Sequence, residues 1–172
     1  METLYTRVAG LDVHKKNVVA CVRITSPQGK AQDAVRTFGT MTGDLLGLAD
    51  WLRQQQVTHV AMESTGVLWK PIWNVLEGEE FELLLVNARE LKQVPGRKSD
   101  VKDSQWIAQL LACGLLRSSF VPQRDQRDLR DLTRQRAQLY AEHTRCANRI
   151  HKVLQDAITK LSSVATDMCC VT

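Results

Sequence analysis

The apolar positions along the chain change period several times, and each change predicts an element. Thr6 to Val13 and Val18 to Thr25 are β-rich runs separated by the polar stretch His14-Lys15-Lys16-Asn17, which predicts a hairpin. Ser26-Pro27-Gln28-Gly29 is a second turn signal, and Ala31 to Phe38 then returns as a third antiparallel strand. Residues 44–55 switch to helical spacing, with Leu45, Leu48, Ala49 and Leu52 on one face. Val57 to Met62 reads as a short buried strand that ends at Glu63-Ser64-Thr65-Gly66. There Ser64 or Thr65 is placed to cap a helix holding Leu68, Ile72 and Leu76. Phe81 to Val86 is a further apolar strand. Pro95 and Gly96 then break the chain before a helix capped by Ser99 or Asp100, with Trp106, Ile107, Leu110 and Leu111 at helical spacing.

Three antiparallel strands followed by helix, strand, helix, strand and helix is the element order of an α/β, ribonuclease-H-like fold, a mixed sheet with flanking helices. Trp69 and Trp73 lie one helical turn apart and are read as core or domain-contact residues rather than base-stacking ones. After Pro122 the pattern changes again. Leu129, Leu132, Arg136, Leu139, His143, Cys146, Ile150, Val153 and Ala157 follow one another at intervals of three and four, a heptad seam interrupted by the polar Arg136 and His143. The expected organisation is a domain over 1–121, a basic heptad helix or coiled-coil segment over 122–166, and a short tail over 167–172.

Composition narrows the possible classes. With 172 residues, 44% of them hydrophobic, the chain can bury a core and is not a disordered tail. Residues 1–96 carry 10 Lys or Arg against 11 acids, whereas residues 97–172 carry 13 against 8, so the second half is the candidate polyanion surface. Five cysteines without a Cys-x-x-Cys pair point to neither a disulfide framework nor a zinc ribbon, and a reducing cytoplasm is the expected home. No signal-peptide core opens the chain, and no run approaches the roughly 18 apolar residues needed to span a bilayer.

The candidate chemistry lies in carboxylates. Asp12 interrupts an apolar strand, where a carboxylate requires a reason to be half-buried, and His14 shares its face at period two. Glu63 falls at the carboxyl end of the next core strand, a position where α/β sheets display functional groups. Asp100 and Asp103 sit three residues apart in the first turn of the following helix, beside Arg97, Lys98 and Lys102. Alone, Asp-x-x-Asp is equally a capping feature, Asp12 a hairpin cap and Glu63 an acceptor for a helix start. If strand one and the Glu63 strand are neighbours, the four carboxylates converge and bind two divalent cations. Their expected chemistry is in-line phosphoryl displacement with Mg²⁺, or Mn²⁺ as a substitute. Between Arg124 and Lys152 eight Lys or Arg face four acids, which reads either as a solvated helix face or as a nucleic-acid surface including Arg134, Arg145 and Arg149.

Gly10-Leu11-Asp12-Val13-His14-Lys15-Lys16, Met62-Glu63-Ser64-Thr65-Gly66-Val67, Pro95-Gly96-Arg97-Lys98-Ser99-Asp100-Val101-Lys102-Asp103 and the run Gly114 to Pro122 resemble the N-terminal region of insertion-sequence transposases of the IS-one-ten and IS-eleven-eleven type. The resemblance implies a RuvC-like domain with an Asp-Glu-Asp-Asp set, which carries over to Asp12, Glu63, Asp100 and Asp103. It also implies a coiled-coil segment, homo-oligomers, DNA as substrate and a structured guide RNA. The family continues into a second domain that supplies a serine nucleophile. From Met168 this chain departs from that pattern, so the expectation is a truncated or frame-shifted copy that binds DNA but does not exchange strands alone. A stand-alone resolvase-like endonuclease and a non-catalytic nucleic-acid-binding, oligomerising fragment are the competing readings.

Overall fold

A computed structural model describes residues 3–26, 28–64, 66–93 and 103–157. The chain divides into two compact units, Met1–Val121 and Pro122–Thr172. In the first unit, β1 (Arg7–Val13), β2 (Asn17–Thr25) and β3 (Ala31–Gly39) form the antiparallel meander. They are followed by α1 (Thr42–Gln54), β4 (His59–Glu63), α2 (Trp69–Leu76), β5 (Glu82–Val86), α3 (Ala88–Gln93) and α4 (Asp103–Ala112). The five strands make one sheet in the order β3-β2-β1-β4-β5, antiparallel between β1, β2 and β3, parallel between β1, β4 and β5. This is the mixed, ribonuclease-H-like α/β arrangement that the element order predicts.

Strand periodicity sorts the side chains onto two faces. Ala9, Leu11 and Val13 of β1, with Val60 and Met62 of β4, join Leu45, Leu48 and Leu52 of α1 and Ile72 and Leu76 of α2 in one apolar cluster. Val8 of β1, Cys21 of β2, Ala61 of β4 and Val86 of β5 face the other way, onto Trp106, Ile107, Leu110 and Leu111 of α4. Trp73 is buried and Trp69 packs edge-on against it with ring centroids 5.9 Å apart. Both tryptophans serve the core.

Three local expectations change. Strand β4 begins at His59 rather than Val57, because the Val57 amide donates to the Leu52 carbonyl (3.1 Å) and the Gln56 amide to that of Arg53 (2.8 Å). With Gln56 left-handed at φ 55°, those bonds close α1 in a Schellman-type turn. Ser64 is not the N-cap of α2, which is Leu68, in helical conformation and without a side-chain cap. Ser64 instead donates its backbone N–H to the Val86 carbonyl (2.9 Å), while Thr65 lies outside the described residues. Helix α3 was not expected. Its signal was Asn87, whose Oδ1 accepts the Arg89 backbone N–H (2.9 Å) as a helix-start side chain does.

In the second unit, α5 (Arg124–Asp156) is one uninterrupted helix of 33 residues with no buried residue. Leu129, Leu132, Leu139, Ile150 and Val153 of the heptad seam are exposed on it. Among the described residues no helix is long and apolar enough to cross a membrane.

Candidate metal centre

The parallel register of β1 and β4 pairs Gly10 with Ala61 and Leu11 with Met62, so the next residues, Asp12 and Glu63, stand side by side at the carboxyl end of the sheet. Their faces follow from parity. Ala61 packs on α4, so Glu63, two residues on, leaves the same side of the sheet, as Asp12 does two residues after Gly10. The third described carboxylate, Asp103, opens the first turn of α4, the helix lying on that side.

Gly10 sets the height of this helix. A Cβ at Gly10 would run into the Ser104 carbonyl oxygen and the Ala108 backbone nitrogen, so α4 rests directly on the β1 backbone and its first turn is held close to the strand bearing Asp12. In the sequence Gly10 stands out only as part of a motif. A glycine inside an otherwise apolar strand is itself the signal for such close backbone approach. Ser104, next to Asp103, is fully buried and its Oγ has no hydrogen-bond partner among the described residues.

Asp12 leaves only 17% of its side chain exposed, and burial pushes its carboxyl above the usual carboxylate range. His14 opposes that shift by charge and by its hydrogen bond, with Nε2 3.1 Å from Asp12 Oδ2. The negative charges of Asp103 and Glu63 raise Asp12 further. Asp12 therefore feels the charge of both other carboxylates, as one ligand of a cation-binding set must. A hard oxygen set that is destabilised by its own like charges fits a divalent cation such as Mg²⁺. Among the described residues no group of three or more His, Cys, Asp or Glu is placed so that it could hold a metal ion. Asp100, Arg97, Lys98 and Lys102 lie outside the described residues. Arg134, Arg145 and Arg149 are exposed on α5, where Arg145 and Arg149 share a face four residues apart.

Residues 9–159 match a family described as Transposase, the DEDD type of the IS-one-ten class. No curated protein matches the chain in sequence. Among solved structures, the chain is similar to Thermus thermophilus RuvC, at 11% identity over 66% of this chain and 99% of that one, with a TM-score of 0.48. It is similar to the fowlpox virus resolvase in its complex with Holliday junction DNA, at 10% identity over 63% and 99% of the two chains, TM-score 0.45. It is also similar to an Aquifex aeolicus protein of the Ppx/GppA family, at 10% identity over 50% and 36%, TM-score 0.36. These likenesses lie in the path of the backbone, at identities that carry no functional information.

Proposed function

The chain belongs to the DEDD transposases of the IS-one-ten type, and we propose that its first unit performs the metal-dependent phosphoryl-transfer chemistry of DNA transposition at Asp12, Glu63, Asp100 and Asp103. The observation that carries this reading is the meeting of Asp12 with Glu63 across the β1–β4 register, under the charge of Asp103. The residues would hold Mg²⁺, or Mn²⁺ in its place. When bound, such ions stabilise the attacking and leaving oxygens of an in-line displacement at phosphorus. The part of the chain itself is to fix the ligands. The rigid parallel pair β1–β4 holds Asp12 and Glu63, Gly10 seats the α4 turn that carries Asp103, and the buried wall under Asp12 strengthens its interaction with any cation.

DNA is the proposed substrate, approached along the basic residues. Arg97, Lys98 and Lys102 would contact phosphates beside the carboxylates, and Arg134, Arg145 and Arg149 would contact them along α5. The exposed apolar seam of α5 supports its pairing with another helix, in a homo-oligomer built through a coiled coil. A structured guide RNA is the further partner that membership of the family favours. A reducing cytoplasm is the proposed place of action, as five cysteines without a Cys-x-x-Cys pair favour.

The test is thermal melting with and without Mg²⁺ or Mn²⁺. Metal should raise the melting temperature of the wild type. Asp12→Asn and Asp100→Asn should each remove most of that rise, whereas Asp125→Asn, at the start of α5, should keep it. An undiminished metal response in the first two variants would refute the site.

A further inference from the structure

Beside the carboxylates, on the side of the sheet away from α4, lies a cavity of about 250 Å³. Its floor is apolar, made by Leu45 of α1 and Leu68 and Ile72 at the start of α2. Its mouth is formed by the β1–β2 turn, with His14 and Lys15, and by Val67, which is 68% exposed. The turn is fixed from behind, since the Thr40 hydroxyl donates to the Lys15 carbonyl oxygen (3.3 Å). His14 belongs to both places, since it lines the cavity and its Nε2 lies 3.1 Å from Asp12 Oδ2. The cavity and the carboxylates lie on opposite faces of the sheet, and His14 at its carboxyl edge joins them.

Resting on the proposed metal-dependent chemistry, we infer that this cavity receives one unpaired DNA nucleotide flanking the scissile phosphate, with the base against Leu68 and Ile72 and the adjoining phosphate beside Lys15. The chemistry of the lining selects this occupant. A nucleobase offers two flat faces that gain from burial on aliphatic side chains, and the phosphate joined to it needs a cation at the rim. The cavity supplies both, and His14, one of its lining residues, is in contact with Asp12. A base inside an intact duplex cannot reach the floor, so the nucleotide is unstacked before it enters, as in enzymes that act on extruded bases. The cost of unstacking is lowest at an unpaired position, which makes the cavity a selector for melted or branched DNA.

The experiment uses the full chain with Mg²⁺ and single-stranded DNA oligonucleotides carrying one 2-aminopurine at successive positions. At one position the emission should rise severalfold on binding, as the base leaves its neighbours for the cavity. Val67→Asp, a change at an exposed residue, should abolish that rise and weaken binding about tenfold, equivalent to about 1.4 kcal/mol. Leu46→Asp, an equivalent change on the exposed side of α1 outside the cavity, should leave both unchanged. Salt-dependent binding without any emission rise, or a rise that survives Val67→Asp at unchanged affinity, overturns this inference and leaves the metal chemistry standing. Absence of DNA binding together with absence of a metal-induced melting shift overturns the proposed function and the inference with it.

Discussion

Replacing Gly10 by alanine tests the close approach of the α4 backbone to β1. The new methyl would meet the Ser104 carbonyl oxygen, the Ala108 nitrogen and, at 3.0 Å, Ile107 Cβ, and the first two lie within a distance that real Cβ atoms do not adopt. Both are helix backbone, which cannot swing aside as a side chain does, so α4 must move as a body. It would loosen the packing of Trp106, Ile107, Leu110 and Leu111 on the sheet. Overpacking of this kind costs about 1–3 kcal/mol, and a rigid backbone neighbour argues for the upper end. Against it stands the relief of about 0.5–1 kcal/mol that alanine gives over glycine in a strand interior. The net expectation is a loss of about 2 kcal/mol, or about 4–8 °C in melting temperature for a chain of this size. The affinity for Mg²⁺ should fall as well, since Asp103 travels with the helix. Gly47→Ala, inside α1 where an added Cβ meets nothing within 4 Å, serves as the opposite control and should gain about 1 kcal/mol. Melting followed by near-ultraviolet circular dichroism reads both. A Gly10→Ala protein as stable as the wild type would refute the claim that α4 rests on the β1 backbone.

Three further outcomes follow from the same geometry. Because burial and the neighbouring carboxylates raise Asp12 in the folded state, the native protein holds a proton that the unfolded chain has released, and without metal its stability falls as pH rises from the ordinary carboxylate value of 3.8 through the raised one. Asp12→Asn should flatten that slope and raise the metal-free melting temperature at neutral pH; an unchanged profile in a pH series of melts would contradict the charged cluster. Charge reversal at Arg134 and Arg145 should lower the steepness of log affinity against log salt by about two, measured by fluorescence anisotropy with DNA, and an unaltered slope would make α5 an oligomerisation helix only. Burial pushes the Cys21 thiol up to about 12, so alkylation of the native protein followed by peptide mapping should modify exposed Cys146 and leave Cys21 intact until the chain unfolds.

The local pattern of the sequence determined the element order apart from α3, the mixed α/β class and the polar interruption at Asp12, because periods of two and of three to four follow directly from the side-chain geometry of strands and helices. It also marked Glu63 as the end of a core strand, since an apolar run stopping at a charged residue before Gly66 has few other readings. The cap of α2 and the first residue of β4 were not legible: the Ser64 N–H bonds to the Val86 carbonyl, 22 residues away and adjacent only in the fold, and the turn that closes α1 at Val57 puts Gln56 rather than a glycine in its left-handed position. Helix α3 was missed because six residues are too few for periodicity to register. Which strands are neighbours was likewise a matter for the tertiary structure. Only the parallel insertion of β4 beside β1 brings Asp12 and Glu63 together, 51 residues apart along the chain, and only the missing side chain at Gly10 lets α4 descend far enough for Asp103 to act on Asp12. The sequence supplies the charged groups; the pairing of strands and the closeness of helix to sheet decide whether their fields add at one point, because Coulomb interactions depend on distance in space and not on separation along the chain.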